Sequence, residues 1–243
     1  MDLNDNIILE NKDCFDFLED IEDNSINLVL IDPPYEISRK TNFSSGEATG
    51  KNTDRFRISM DFGEWDRGGY NLLENVISEC YRVLKPSGTL ICFYDLWKIT
   101  NLKEYFNNAG FKQLRFIEWI KTNPVPINSK INYLTNAREV AVVGVKKNRP
   151  VFHSEYDNGV YKYPICHDKN RFHPTQKPLE LIEALIYKHS NENDIVLDCF
   201  AGSATTAVAA YNLNRKFIGC ELDETYYNKS IDRLNSIIKS KGE

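Results

Sequence analysis

Four consecutive residues, Asp32-Pro33-Pro34-Tyr35, form the first pattern in the chain that could do chemistry. They close the apolar run Leu28-Val29-Leu30-Ile31, which reads as a buried strand. Each proline lacks an N–H, has a fixed φ, and pushes the residue before it into an extended conformation. Asp32 is therefore held rigid at a strand end, beside a Pro33 carbonyl with no strand partner of its own. A carboxylate, a carbonyl and an aromatic face suit a flat ring that carries an exocyclic amine. The two acceptors take its two hydrogens, and the aromatic gives it a surface to stack on. A plainer reading also stands, a Pro-Pro turn capped by an aspartate.

The far end of the chain supplies a complementary pattern. Asp194-Ile195-Val196-Leu197-Asp198 reads as a strand ending in an acid, Cys199-Phe200-Ala201-Gly202-Ser203-Ala204 as a loop of mostly small residues, and Thr205-Thr206-Ala207 as the start of a helix. The next strand, Lys216-Phe217-Ile218-Gly219-Cys220-Glu221, ends in a second acid. An acid about twenty residues beyond such a turn is placed to bind ribose hydroxyls. There is no Gly-x-Gly-x-x-Gly and no phosphate-binding lysine. The loop thus suits a cationic nucleoside without phosphates better than a pyrophosphate. His173-Pro174-Thr175-Gln176-Lys177-Pro178 precedes an amphipathic helix, which Pro178 could simply start.

The elements that must position these residues alternate between strand and helix. Ile7 to Glu10 reads as a strand. A helix follows with Phe15, Leu18 and Ile21 inward, and then the strand that ends at Asp32. This strand–helix–strand unit belongs to a parallel sheet whose ligands bind at the strands' C-terminal ends. Asp13 lies at one such end, where it could also serve as a helix N-cap. A helix from Leu72 to Leu84, a strand Thr89 to Tyr94, a helix ending near Gly110 and a strand Arg115 to Ile120 come next. Glu139 to Val145 is a further strand, expected to pair antiparallel with the one before it.

With 243 residues, 42% of them hydrophobic, the chain can bury a large core in one domain. No stretch is long and apolar enough to span a membrane and the N-terminus has no signal-peptide layout, so a cytoplasmic protein is expected. The six cysteines are scattered with no Cys-x-x-Cys, which favours reduced core residues over disulfides or a metal site. The net charge of −5 hides an asymmetry. The first 36 residues hold Lys12 as their one base, whereas Lys112 to Arg149 contains eight bases against Glu118 and Glu139. Such a balance fits a basic face on an acidic body, or solvated surface charge.

Two stretches lack periodicity. Residues 36–67 have the length and composition of a mobile flap, with Arg39, Lys40 and Arg55 suited to phosphates. Trp65 within it reads better as an anchor to the core than as a substrate contact. Residues 146–172 mix aromatics with Lys146, Lys147, Arg149 and Arg171, a pattern that suits bases and phosphates or a small aromatic core.

Asp32 to Tyr35 resembles the signature of amino-group methyltransferases, and Asp198 to Thr206 resembles their Asp-x-Phe-x-Gly-x-Gly-Thr-Thr motif, with Glu221 as its ribose acid. Ala204 stands where that motif has its second glycine, which removes easy access to positive φ. Residues 61–66 resemble a stretch of some bacterial adenine methyltransferases. Catalytic motif first, basic variable region next and cofactor motif last is the permuted order of the beta-class amino DNA methyltransferases, usually members of restriction–modification systems.

This resemblance implies a Rossmann-like, doubly wound α/β fold whose mostly parallel seven-stranded sheet is flanked by helices, as one catalytic domain over residues 1–243. It implies S-adenosylmethionine as cofactor, bound by Asp13, Asp198, Phe200, Gly202, Ser203, Thr205, Thr206 and Glu221, with Thr175 and Lys177 beside its methionine end. It implies duplex DNA as substrate, with Asp32, Pro33, Pro34 and Tyr35 acting on a flipped base and residues 146–172 recognising the target. Members with Asp at the position of Asp32 tend to act on adenine N6, and those with Ser on cytosine N4. A homodimer and a cognate restriction endonuclease are compatible partners. The permuted order argues against RNA or protein glutamine as substrate. A nucleic-acid-binding module that keeps the fold without catalysis is the rival from another class.

Overall fold

In the computed structural model, residues 2–4, 6–34, 72–124, 134–166, 171–173 and 175–242 are described. The elements in chain order are β1 (Asp2–Asn4), β2 (Ile7–Asn11), α1 (Cys14–Glu19), β3 (Ile26–Ile31), α2 (Leu72–Val83), β4 (Leu84–Tyr94), a 3-10 turn (Leu96–Lys98), α3 (Ile99–Ala109), β5 (Lys112–Lys121), β6 (Arg138–Val145), β7 (Val160–Tyr163), α4 (Leu179–His189), β8 (Ile195–Asp198), α5 (Thr205–Asn212), β9 (Lys216–Glu221) and α6 (Glu224–Gly242).

The strands form one sheet in the order β1-β2-β9-β8-β3-β4-β6-β5-β7. Strands β2, β9, β8, β3 and β4 run parallel, and β6 is reversed between β4 and β5. The seven expected strands make the body, and β1 and β7 add an edge strand at each side. Neither edge strand carries a strong apolar pattern, since β1 reads Asp-Leu-Asn and β7 reads Val-Tyr-Lys-Tyr.

Alternation along β3 explains how both faces are covered. Leu28 and Leu30 pack on one side with α4 and α5 residues such as Leu181, Leu185 and Val208. Val29 and Ile31 pack on the other with Phe17, Val76, Ile77 and Phe106 from α1, α2 and α3. A parallel sheet buried on both faces needs such near-continuous apolar strands. Helix α1 differs from expectation: Cys14, Phe17 and Leu18 are buried, while Phe15 and Ile21 are half-buried at its edge. Asp13 caps the helix through a 2.8 Å bond from the Phe15 N–H, and the helix is over by Glu19, two residues before Ile21. Among the described residues, no helix is long and apolar enough to cross a membrane.

Close strand approach at the sheet centre depends on Gly219, which pairs with Asp198 across β8 and β9. A Cβ there would run into the Asp198 carbonyl oxygen and come within 2.5 Å of the Phe217 ring. Backbone cannot yield as a flexible side chain does, so Gly219→Ala is expected to cost about 3 kcal/mol, at the upper end for overpacking. Urea denaturation of the variant measures this. A midpoint equal to that of the wild type would show that the strands do not need this contact.

Candidate active site

The four acids singled out in the sequence come to one end of the sheet. Asp198 and Glu221 are the last residues of β8 and β9, while Asp32 and Asp13 follow β3 and β2. These strands are parallel, so all four lie at the C-terminal edge, where a doubly wound sheet opens to ligands.

The loop after β8 is held from three sides. Asp198 accepts from the Phe200 N–H at 3.0 Å with one oxygen and from the Thr206 hydroxyl at 2.7 Å with the other. Glu221 accepts from the Gly202 N–H at 2.7 Å and from the Asp223 N–H at 2.9 Å. From α6, Ser230 donates to the Gly202 carbonyl at 2.8 Å and Arg233 to the Ser203 carbonyl at 2.7 Å. Gly202 has φ 54°, and Ala204 adopts φ 55° in spite of its methyl group. The left-handed conformation costs a residue other than glycine about 1–2 kcal/mol, here offset by a fully buried methyl and by the helix that Ala204 starts. Ala204 thus holds the left-handed conformation without a glycine. Burial pushes the Asp198 carboxyl up to about 7; its two hydrogen bonds oppose that, while Asp32 and Glu221 add to it.

Asp32 sits opposite this loop. One of its oxygens, Oδ2, pairs with the Lys177 ammonium, and the other, Oδ1, is buried with no hydrogen-bond partner among the described residues. Lys177 also reaches Glu139 at 3.0 Å, and Lys121 holds the other oxygen of Glu139 at 2.8 Å. The Lys177 ammonium lies 4.9 Å from the centre of the Phe93 ring. Burial raises the Asp32 pKa, Lys177 lowers it and Glu139 raises it again, leaving it above the ordinary value. Between Asp32 and the loop is an open cleft lined by Leu30, Phe93, His173, Thr175, Gln176, Lys177 and residues 198 and 200–206 apart from Ala204. His173 packs its ring on Tyr226. Burial, with Lys177 and Arg171 nearby, lowers its pKa to about 4, so it is neutral at pH 7.

A family model described as DNA methylase matches residues 26–232. The chain belongs to the DNA methylase family. This methylase is 32% identical over 250 residues to the Type II methyltransferase M2.LlaDCHI of Lactococcus lactis subsp. cremoris, an alignment covering 95% of this chain and 90% of that protein. It is 30% identical to M2.DpnII of Streptococcus pneumoniae, with the same coverage. Among solved structures, M1.HpyAVI in complex with SAM superposes with a TM-score of 0.70 at 29% identity, covering 94% of this chain and 99% of that one. The cytosine-N4-specific PvuII DNA methyltransferase shares the fold, with a TM-score of 0.72 at 18% identity.

In the methylase, Asp32, Asp198, Phe200, Gly202, Ser203, Thr205, Thr206, Thr175 and Lys177 line one cleft. Pro33 is buried and Pro34 exposed beside it. Asp13 and Glu221 lie at the same sheet edge but do not line the cleft; one caps α1 and the other braces Gly202. Tyr35, Arg39, Lys40, Arg55 and the whole of residues 36–67, Trp65 included, lie outside the described residues.

The basic stretch at 146–172 is corrected in part. Because β6 is reversed, its last residue, Val145, pairs with Thr89 and its earlier Val140 with Tyr94 at the end of β4, so the chain leaves toward the end opposite Asp32. Lys146 is buried there, donating to Asn24 and to the Arg82 carbonyl. Exposed Lys147 and Arg149 follow it at that far end. The chain then climbs through β7, parallel to β5, so Tyr163 and exposed Arg171 return to the catalytic end. Sequence reading also missed Glu139, Lys121, Ser230 and Arg233. The first two carried a signal, as lone charges near the ends of apolar strands.

The raised Asp198 pKa has a measurable consequence. Its folded value of about 7 exceeds the unfolded value near 4, so protonated Asp198 favours the fold at low pH, and that contribution is lost as pH rises through 7. Compared with Asp198→Asn, the wild type should lose stability across pH 4 to 7 with a slope approaching about 1.4 kcal/mol per pH unit. Parallel urea-melt series for the two proteins, each at several pH values, measure the difference. Curves that stay parallel would mean that Asp198 is already ionised at pH 5.

Proposed function

We propose that this methylase transfers a methyl group from S-adenosylmethionine to the exocyclic N6 of adenine in duplex DNA. The observation that carries this reading is the state of Asp32. It lies at the end of a buried strand and lines the cleft, with one oxygen held by Lys177 and the other buried with no hydrogen-bond partner among the described residues.

The cleft's residues fit such a cofactor. Its loop side is uncharged apart from Asp198, which burial keeps near half-ionisation at neutral pH and which a cation would favour as the carboxylate. Gly202 and the small residues around it let a ligand lie close to the backbone. Asp13 and Glu221, at the same sheet edge, are assigned to the adenosine part. When bound, S-adenosylmethionine supplies an electrophilic methyl group on a sulfonium.

The protein's own residues handle the amine. The lone pair of an exocyclic amine is delocalised into its ring, so the nitrogen is a poor nucleophile. Asp32 and the Pro33 carbonyl accept its two hydrogens and hold the lone pair toward the methyl group, with no metal or covalent intermediate required. The nitrogen sheds one proton as it gains the methyl group. Asp32, whose pKa burial raises, is the base placed to receive it. The base must leave the duplex to reach this site, and Tyr35 is assigned to stack on it, an interaction worth about 1–3 kcal/mol. Arg171 is the described basic residue best placed for the DNA backbone.

Adenine is preferred over cytosine N4 because an Asp occupies position 32, the residue that the resemblance associates with adenine. The relatives' names support a Type II methyltransferase role; a cytoplasmic location and a cognate restriction endonuclease belong to the proposal. Asp32→Ala is expected to lower methyl transfer to duplex DNA by at least about a thousandfold, the scale of losing a preorganised partner of the reacting group. Calorimetric binding of S-adenosylmethionine should change little. Turnover at the wild-type rate would sink the assignment. Mass spectrometry of nucleosides from DNA methylated by the wild type should find N6-methyladenine, and N4-methylcytosine in its place would correct the base alone.

A further inference from the structure

Asp32 is not alone at the cleft. Behind it runs a row of alternating charge, Asp32, Lys177, Glu139 and Lys121, drawn from four places in the chain: the end of β3, the segment before α4, β6 and β5. Lys177 keeps 8% of its side-chain surface exposed and Glu139 23%, so both charges act through little solvent. Screening is weak there, and a carboxylate or ammonium must be paired to stay ionised.

We infer that Lys177 and Glu139 are positioning residues for Asp32. Lys177 occupies one Asp32 oxygen and leaves the other for the amine, and Glu139, anchored by Lys121, fixes where Lys177 sits. This inference rests on Asp32 as the group that acts on the amine. It gives Lys177 a duty apart from cofactor contact, and gives one to Glu139, which belongs to neither motif.

The row is built to hold a fixed ammonium. Glu139 is pulled in opposite directions: burial disfavours its charge, but Lys177 and Lys121 together outweigh burial and hold its pKa below the ordinary value. Glu139 therefore remains a carboxylate and takes a share of Lys177. Sharing matters for Asp32. A lysine given wholly to Asp32 would bind both the charge and the acceptor capacity that the amine needs. A lysine held away would leave a buried carboxylate that neutralises itself. The other groups near this row are Asp198 at the end of β8, Cys92 on β4 and His173, which is neutral at pH 7. The charge of Asp32 adds to the pressure for Asp198 to take up a proton, and none of the three supplies a second cation.

The charges predict opposite signs for two variants. In Lys177→Met, Asp32 faces Glu139 without its cation, and its titration should move up by at least about one pH unit. In Glu139→Gln, Lys177 belongs to Asp32 alone and the titration should move down. Carbon-13 carboxyl shifts of Asp32, followed against pH in the full chain without DNA or cofactor, give the direct readout. The acidic limb of the kcat–pH profile on duplex DNA should shift in the same directions, and Lys177→Arg should restore the wild-type limb. The double variant Lys177→Met with Glu139→Gln should titrate between the wild type and Lys177→Met.

An Asp32 titration that both single variants leave in place, or move in the same direction, would overturn the inference. Should Lys177→Met fail to fold, the downward shift in Glu139→Gln still decides, since a bracing role alone would not produce it. A wild type that methylates no DNA would count against the proposed function, while the carboxyl titration would still judge the charge row.

Discussion

A carboxylate removed from water must be paired or must take up a proton, and this constraint governs the C-terminal edge of the methylase's sheet. Asp32 is carried to its place by β3, the sheet's most thoroughly buried strand, and two prolines keep it from relaxing toward solvent. The stiffness that gives the carboxylate a defined direction also removes its freedom to find water. Its ionisation then depends on what the neighbouring elements bring. Strand β6 brings Glu139, β5 brings Lys121, and the segment ahead of α4 brings Lys177 between them. Two basic groups alternate with two acidic ones, so each buried acid has a cation beside it.

The opposite wall of the cleft solves the same problem in another way. Among the described residues no cation pairs with Asp198; a backbone N–H and a hydroxyl from its own loop partner its oxygens. Hydrogen bonds of this kind satisfy the oxygens but offset burial only in part, which leaves the group titrating near neutrality. One wall thus pairs its acid with a cation, and the other relies on hydrogen bonds alone. Glu221 and the α6 residues Ser230 and Arg233 fix the loop's backbone, firmly enough that Ala204 keeps a conformation usually reserved for glycine.

The sequence made the small-residue loop after β8 and the strand that ends at Asp32 legible because their side chains interact with residues a few positions away. Asp198 finds Phe200 and Thr206, and Asp32 is stiffened by the next two residues. Strand and helix order followed from periodicity, including the antiparallel pairing of β5 with β6. What remained hidden depends on long-range register. Glu139 meets Lys177 only because β6 inserts between β4 and β5, and no local pattern states which strands become neighbours. Ser230 and Arg233 were hidden for the same reason, since they act about thirty residues away from the loop they hold.

The misplaced basic cluster follows from a direction that the sequence did contain. A strand antiparallel to β5 has its first residue at the catalytic edge and its last at the opposite edge. The reversal of β6 that delivers Glu139 to Asp32 therefore sends Lys146, Lys147 and Arg149 away from it. Lys146 loses even its exposure, since its ammonium is used to tie α2 to the turn before β3. Charge counted along the chain suggested a single basic face from Lys112 onward, but strand direction divides that charge between two ends of the sheet. At the catalytic end, Lys121 is committed to Glu139, and Arg138 pairs with Glu118 while staying largely exposed. Net charge thus says little about where an acidic body meets a polyanion. Strand direction, more than the charge total, sets where the exposed bases lie: Lys147 and Arg149 at one end of the sheet, Arg138 and Arg171 at the other.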